Sequence, residues 1–466
     1  MTVIVLLIFG FSAQRLVEPD IWYHLRNGQQ IWEYHSFPNV DTYTFGAAGL
    51  PWLDYEWLSE VVYFLGFKAW ALRGILMVYF GLLALIYAGV YYRACSAGTD
   101  YASALLVTLL AVLLAAVSIG PRMLLFGWLC MVGLLLVLDH FQRTGKGLWL
   151  LPVLFALWIN LHGSWVFGIV VLALTITSGL VEGEWGLVVA HRWTSTELKT
   201  LALVFASSVA ALFVNPFGFK LVLYPFVSQL KFIRYIQEWL PVDFSKGSGK
   251  LALISVLALL VAALFSRRRW RLDEVLLIIF ALWMGLSHAR FLFFLGLIMV
   301  PILAPRLELF PSSGPEHNRP WLNAGILAAM AAWLIFSFPT QVELQQDVNA
   351  KFPAAALEFM QRQHIGGRGL NQDWWGGYME WQTPALKPFT DTRDDIFADN
   401  GTFNDYLSAV EIRQPFEVLD KYRIDYALLE PNQPLVYVLN RSPEWRTVYS
   451  DKVAVLLARS QPTAGH

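Results

Sequence analysis

E-P-D-I-W-Y-H-L-R-N-G-Q-Q-I-W-E-Y-H-S-F-P-N-V-D-T-Y-T-F, residues 18–45, and P-W-L-D-Y-E-W-L-S-E, residues 51–60, form the stretch from which the fold can be read. It follows directly on an apolar segment at 2–17, yet it carries Asp20, His24, Arg26, Glu33, His35, Asp41, Asp54, Glu56 and Glu60. Trp22, Trp32, Trp52 and Trp57 are interleaved with them. Trp and Tyr favour the membrane–water interface, where the ring lies in apolar surroundings and its N–H or O–H stays wet. The pattern predicts a folded loop on a membrane surface, where polar chemistry can take place beside lipid.

Composition agrees with a membrane setting. Of 466 residues, 56% are hydrophobic and 15% charged, against about 25% charged in an average soluble chain. Mean hydropathy is +0.49. Net charge is −1, so nucleic acid is not an expected partner. Cys95 and Cys130 lie in or beside apolar runs without ligand-like spacing and read as apolar thiols. Segment 2–17 lacks a basic flank and a small-residue cleavage motif, and reads as an uncleaved first helix.

A spanning helix needs about 20 mostly apolar residues. Runs near 2–17, 73–93, 102–119, 122–140, 148–161, 164–181, 199–214, 250–266, 273–289, 290–304 and 321–338 predict about eleven spans, 148–161 being short. Segment 57–71 is apolar but broken by Glu60, Lys68 and Arg73, and reads as an interfacial helix. The basic linker Arg267–Arg271 marks the cytoplasmic face by the positive-inside rule. Alternation then puts Arg93, Arg143, Lys146, Arg192 and Arg306 on that face, and the first loop, segment 216–249 and the tail on the other. The expected fold is a polytopic α-helical membrane protein, domain 1–338 with a first extracytoplasmic loop at 18–71. A soluble extracytoplasmic α/β domain follows at 339–466. In that tail, strands are expected at 368–373, 387–391, 426–429, 446–450 and 453–457, with helices near 352–364, 403–411, 415–422 and 433–440.

Asp20 is the first candidate for chemistry, a carboxylate just past the first apolar segment, able to serve as general base or metal ligand. It also reads as an ordinary N-cap for the run I-W-Y-H-L-R. Asp54 and Glu56 come next; acids at i and i+2 do not share a helix face, so one is expected to point away. Arg122, Asn160, His162, Asn215, His288 and Arg290 sit at ends of apolar runs, all on the outer side of the expected topology. Polar groups at such depth face a cavity or a partner, or snorkel at the interface. A shared polar cavity suits an anionic ligand: Arg122, Arg290 and Arg234 can neutralise phosphate while His162 and His288 donate hydrogen bonds. In the tail, Asp373–Tyr378 and Thr390–Asp395 offer either a ligand position beside a Gly-rich turn or an Asp–Arg pair fixing a loop. There is no G-x-G-x-x-G, P-loop or metal-type Cys/His cluster.

P-D-I-W-Y-H-L-R-N-G, F-P-N-V-D-T-Y-T-F, D-Y-E-W-L-S-E, P-R-M-L-L-F, W-I-N-L-H-G, N-P-F-G, D-W-W-G-G-Y and T-D-T-R-D together resemble the GT-C membrane glycosyltransferases, which include protein mannosyltransferases and aminoarabinose transferases. Over nearly its whole length the chain is similar to a group of bacterial integral membrane proteins related to that superfamily. The resemblance implies a multi-pass protein of the bacterial inner (cytoplasmic) membrane. It would move a sugar from a polyprenyl-phosphate donor to an acceptor at the extracytoplasmic face, inverting the anomeric carbon. Asp20 would be the catalytic carboxylate, with Glu56 or Asp54 assisting. A divalent cation, Mg or Mn, is compatible with Asp20 and Glu56. Substrate would be held by His24, Arg26, Arg122, Asn160, His162, Asn215, His288 and Arg290. Two features depart from the pattern. Asp54-Tyr55-Glu56-Trp57 stands where mannosyltransferases carry His-Pro-Pro, and Glu18 is separated from Asp20 by Pro19. The alternative readings are a non-enzymatic accessory or assembly subunit on a GT-C-like scaffold, and a lipid or polysaccharide transporter.

Overall fold

The computed structural model describes residues 18–227, 237–307 and 319–460; the apolar segment expected at 2–17 and Arg234 lie outside them. Helix α1 (Ile21–Tyr34) is followed by α2 (Trp57–Ser96). A break at Trp70 and Ala71 divides α2, with Ala71 at φ 52° and ψ −137°. A non-glycine residue there is uncommon. It separates the helix expected at 57–71 from the span expected at 73–93.

Apolar helices follow: α3 (Tyr101–Ala115), α4 (Leu124–Thr144), α5 (Leu150–Leu161), α6 (Trp165–Ser178), α7 (Ser195–Ala211), α8 (Phe219–Val227), α9 (Gly247–Phe265), α10 (Leu272–Ser287), α11 (Val300–Leu307) and α12 (Pro320–Ser337). Among the described residues, six helical segments are long and apolar enough to cross a membrane, and α5 and α6 are shorter apolar helices. The chain is a multi-pass membrane protein. The segment expected as a plain span at 290–304 is composite: a 3-10 turn at Ala289–Phe291, a π-helix at Leu295–Met299, then α11.

The chain forms two compact units. Among the described residues, one runs from Met77 to Phe338, and the other joins residues up to Leu76 with those from Pro339 onward. The chain passes between the units at Leu76/Met77 and at Phe338/Pro339, so residues 18–76 fall with the tail.

In the apolar unit the charged linkers gather at one end of the bundle. Arg93 Nε lies 2.6 Å from Asp139, Arg271 pairs with Asp273 at 3.0 Å, and Gln142 donates to Asp273 at 2.7 Å. Arg306 pairs with Glu274 and stacks over Trp270. Arg93, Arg143, Arg271 and Arg306, expected on one face, do share one end. A small sheet of β1 (Gly183–Trp185), β2 (Val188–Ala190) and β3 (Trp270–Arg271) joins linkers there.

The second unit contains helices α13 (Gln341–Asn349), α14 (Ala354–Arg362), α15 (Gly376–Gln382), α16 (Asp394–Asp399), α17 (Thr402–Val410), α18 (Pro415–Lys421) and α19 (Pro434–Leu439). Its sheet runs β4-β5-β7-β6, from β4 (Gly369–Asn371), β5 (Tyr426–Leu429), β6 (Trp445–Ser450) and β7 (Val455–Arg459). Pair β4/β5 is parallel; β5/β7 and β7/β6 are antiparallel. Segment 387–391, expected as a strand, makes only an isolated bridge, Pro388 to Gly369. The Asn371 side chain takes its backbone groups instead, accepting from the Phe389 amide at 2.7 Å and donating to the Thr390 carbonyl at 2.9 Å.

Apolar contact joins the loop to the tail. Trp22 meets Phe352 and Tyr378 edge-on, at 5.5 and 5.0 Å. Tyr43, Ala47 and Trp52 pack with Ile396 and Phe397. The D-W-W-G-G-Y motif has a steric reason. A Cβ on Gly376 would fall inside the contact distance of the Thr390 carbonyl and Asp391, and one on Gly377 would lie 3.0 Å from the Tyr23 nitrogen. Both glycines let α15 lie between α1 and Thr390–Asp391. Gly376→Ala is expected to destabilise this unit by about 1–3 kcal/mol, checked by thermal unfolding in detergent; an unchanged midpoint would refute the packing argument.

Candidate active site

Asp20 occupies the N-cap position of α1, but with φ −68° and ψ −27° its side chain makes no capping hydrogen bond. The expected cap is positional only, and the carboxylate is not engaged in holding the helix end. One turn on, His24 points inward. Its Nδ1 lies 2.6 Å from Glu60 Oε1, which also accepts from Asn27 Nδ2 at 3.0 Å. Its Nε2 lies 3.8 Å from Glu56. Asp54 accepts from the Glu56 amide at 3.3 Å. All five of His24, Asn27, Asp54, Glu56 and Glu60 are buried. Asp54 and Glu56 therefore both face this cluster, because 54–56 precedes the first turn of α2 and does not follow helical spacing. Arg26 faces Gln29 on its own helix instead, at 2.9 Å.

A second buried network adjoins the first. Arg393 donates to Asp391 through Nε at 3.0 Å and to Asp41 through Nη2 at 2.9 Å, with Glu380 3.7 Å away. Its guanidinium lies 4.7 Å from the Trp52 ring and 5.2 Å from that of Tyr43. The T-D-T-R-D motif thus contains the Asp–Arg pair, and Asp41 of the loop shares it. Burial alone would raise the Asp391 carboxyl; the Arg393 charge and its hydrogen bonds hold it below the usual range. Glu380 is held well above that range, by burial and then by Asp391.

Asp20 belongs with a third group. Burial, then Asp373, Asp20, Asp391 and Asp395, push Asp394 up to about 8. Asp373, at the end of β4, is also raised, chiefly by burial, and takes a hydrogen bond from Tyr406 at 3.2 Å. Asp394, so raised, can exchange a proton near neutral pH. Among the described residues no three His, Cys, Asp or Glu are placed to hold a metal ion, and Glu56 faces His24. The residues present do not fit the Asp20–Glu56 cation site the resemblance allowed.

The buried groups set a pH dependence. Burial lowers His24 from 6.5 to about 4. Between those values the unfolded chain binds more protons, so stability rises with pH, by up to about 1.4 kcal/mol per unit. Asp394 acts oppositely: the folded state keeps its proton up to about pH 8, so its contribution falls as pH rises from about 4 to 8. In a pH series of thermal unfolding, His24→Gln is expected to flatten the acid limb and Asp394→Asn the decline toward pH 8. A His24→Gln protein with its acid limb intact would contradict the buried neutral imidazole.

In the apolar unit, the expected residues separate into two groups. Arg122, before α4, donates through Nη1 to both oxygens of Glu238, at 3.0 and 2.9 Å. Trp239 meets the His288 ring at 5.7 Å and the Arg290 guanidinium at 5.5 Å. Arg122, His288 and Arg290 thus assemble around Glu238–Trp239. Asn160 ties α5 to the end of α7, donating to the carbonyls of Ala156 and Val214 at 2.7 and 2.8 Å. His162 accepts from the Ser164 amide at 3.0 Å. Asn215 bonds within its own turn, to Leu212, Phe217 and Gly218. Glu238 and Trp239 are not singled out by spacing; the available signal is one acid in the otherwise basic, aromatic K-F-I-R-Y-I-Q-E-W. Asn27, Glu380 and Arg393 owe their roles to contacts across up to 352 residues, which local pattern does not carry.

No family model and no curated protein sequence matches the chain. Solved structures do. The Archaeoglobus fulgidus oligosaccharyltransferase in its apo form aligns with 91% of this chain and 69% of its own, at 11% identity and a TM-score of 0.52. The archaeal oligosaccharyltransferase AglB from Archaeoglobus fulgidus, in complex with an inhibitory peptide and a dolichol-phosphate, aligns over 92% and 69%, at 13% identity and a TM-score of 0.58. At such identities the likeness is one of fold alone.

Proposed function

We propose that the chain is a membrane glycosyltransferase that takes a sugar from a polyprenyl-phosphate donor. The observation that carries this reading is the setting of Asp20: a carboxylate not used for capping, beside Asp394, whose proton affinity lies near neutral pH. A base so placed can take the proton of an acceptor hydroxyl or amine as that atom attacks the anomeric carbon. The new bond forms on the face opposite the leaving group, the bond from the anomeric carbon to the phosphate oxygen breaks, and the lipid phosphate departs. Within the apolar unit, Arg122 and Arg290 carry a charge that suits a phosphate. Likeness of fold to AglB, whose structure holds a dolichol-phosphate, supports a lipid-phosphate donor, and the peptide there supports an acceptor that is itself a polymer.

Among the described residues the carboxylates do not gather as a metal-ligand set. The roles of Asp54, Glu56 and His24 are to hold α1 against α2 beneath Asp20. Orientation in the bacterial cytoplasmic membrane, with the tail outside, belongs to the same proposal. The test is release of polyprenyl phosphate from a polyprenyl-phosphate sugar by the protein in proteoliposomes. Absence of release together with a stoichiometric partner on purification would favour the accessory-subunit reading instead.

A further inference from the structure

We propose that Glu238 is an internal stand-in for phosphate on Arg122, displaced when the lipid phosphate binds. This rests on the transferase reading and concerns the basic group of the apolar unit. The Arg122 and Glu238 side chains are 22% and 24% exposed, so the pair is reachable from solvent. One guanidinium nitrogen holds both carboxylate oxygens, at 3.0 and 2.9 Å, much as it would hold two oxygens of a phosphate.

The segment carrying Glu238 is stitched to the helix end that carries the other basic groups. Ala289 N donates to Leu240 O at 3.0 Å, and Val242 N to Leu286 O at 3.2 Å. Trp239, the next residue, contacts His288 and Arg290. Among the described residues Arg290 pairs with Trp239 and with no carboxylate. Glu238 is thus the single acid of a group that otherwise presents Arg122, His288, Arg290 and an indole face. Such a group without Glu238 would attract any anion. With it, a ligand must supply enough charge and apolar contact to displace a carboxylate already in place. A lipid phosphate does both, through its charge and its chain; inorganic phosphate supplies only charge. The partly exposed ion pair is weak enough to exchange.

Binding of farnesyl phosphate, inorganic phosphate and farnesol to the purified protein in detergent tests this. Glu238→Gln is expected to bind farnesyl phosphate roughly three- to tenfold more tightly than the native protein, with farnesol unchanged. Glu238→Asp, which keeps the charge on a shorter arm, is expected to show a smaller gain and guards against a misfolded Gln variant. In an Arg122→Gln background the gain should vanish. Equal or weaker binding by both Glu238 variants overturns the inference while leaving the transferase reading intact, as does a gain that persists without Arg122. A gain for inorganic phosphate alone overturns the lipid assignment. No binding of farnesyl phosphate by native protein or variants overturns the parent reading as well.

Discussion

Asp20→Asn is expected to lower sugar transfer by about 10²–10⁴-fold, the usual contribution of a positioned general base, while leaving the protein folded. The two halves of that expectation have separate causes. Loss of activity follows because the amide cannot take the acceptor's proton. Retention of the fold follows because the Asp20 side chain makes no capping hydrogen bond, so the Asn removes no contact that α1 depends on. The amide also removes one of the negative charges that raise Asp394, so the acid limb of Asp394's titration should move down in pH. Glu56→Gln provides the contrast. Glu56 is buried against His24, so its substitution should reduce stability and activity together. Transfer is measured as lipid-phosphate release in proteoliposomes, and folding as the thermal midpoint. An Asp20→Asn protein with native turnover would remove Asp20 from the chemistry; one that unfolds would show that its role is structural.

The parts of the fold that follow from local chemistry are visible in the chain. Apolar runs mark the helices of the bundle, and Glu60 with Lys68 marks the piece of α2 before the break. A short apolar run places β5 at the residues expected, 426–429, and α17 to α19 lie within a residue or two of theirs. The helix within 148–161 is 12 residues long, in keeping with the shortness of its run. What escapes local reading depends on distance. Asp54 and Glu56 look like residues on opposite faces, and would be on a helix. Both turn inward because the chain enters α2 through a turn at 55–56, not yet as helix, and His24 waits on another element. Arg122 looks like an open phosphate ligand, since nothing near it in sequence announces Glu238, 116 residues on. Asn215 looks like a pocket residue, yet its amide serves the turn N-P-F-G that follows it. The loop's membership of the tail's unit was invisible for the same reason: its carrier, Arg393, lies 352 residues from Asp41.

Arg393→Met is expected to destabilise the loop–tail unit by about 3–5 kcal/mol, the cost of breaking a buried ion pair by removing one partner. The native arrangement holds one guanidinium among Asp41, Asp391 and Glu380, each at most 3% exposed. Without it, Asp41 and Asp391 must either stay charged in a dry interior or take up protons, and both routes lower the stability of the folded state at neutral pH. The side chain also fills the space against Trp52, Tyr43 and Tyr23, so Met replaces the bulk but not the donors. Arg393→Lys keeps the charge and loses the planar fork that reaches Asp391 and Asp41 at once, and should fall between the two. Adding Asp41→Asn and Asp391→Asn to Arg393→Met should recover part of the loss, because what destabilises is the orphaned charge more than the missing attraction. Because Asp41 lies in the loop and Asp391 in the tail, the first signature of the loss is local: protease cleavage between residues 35 and 55 at temperatures where the tail's own sheet is still intact. Cleavage that starts in the tail, or a midpoint that Arg393→Met leaves in place, would mean that apolar packing of Trp52 and Tyr43 on Ile396 and Phe397 holds the loop without the guanidinium.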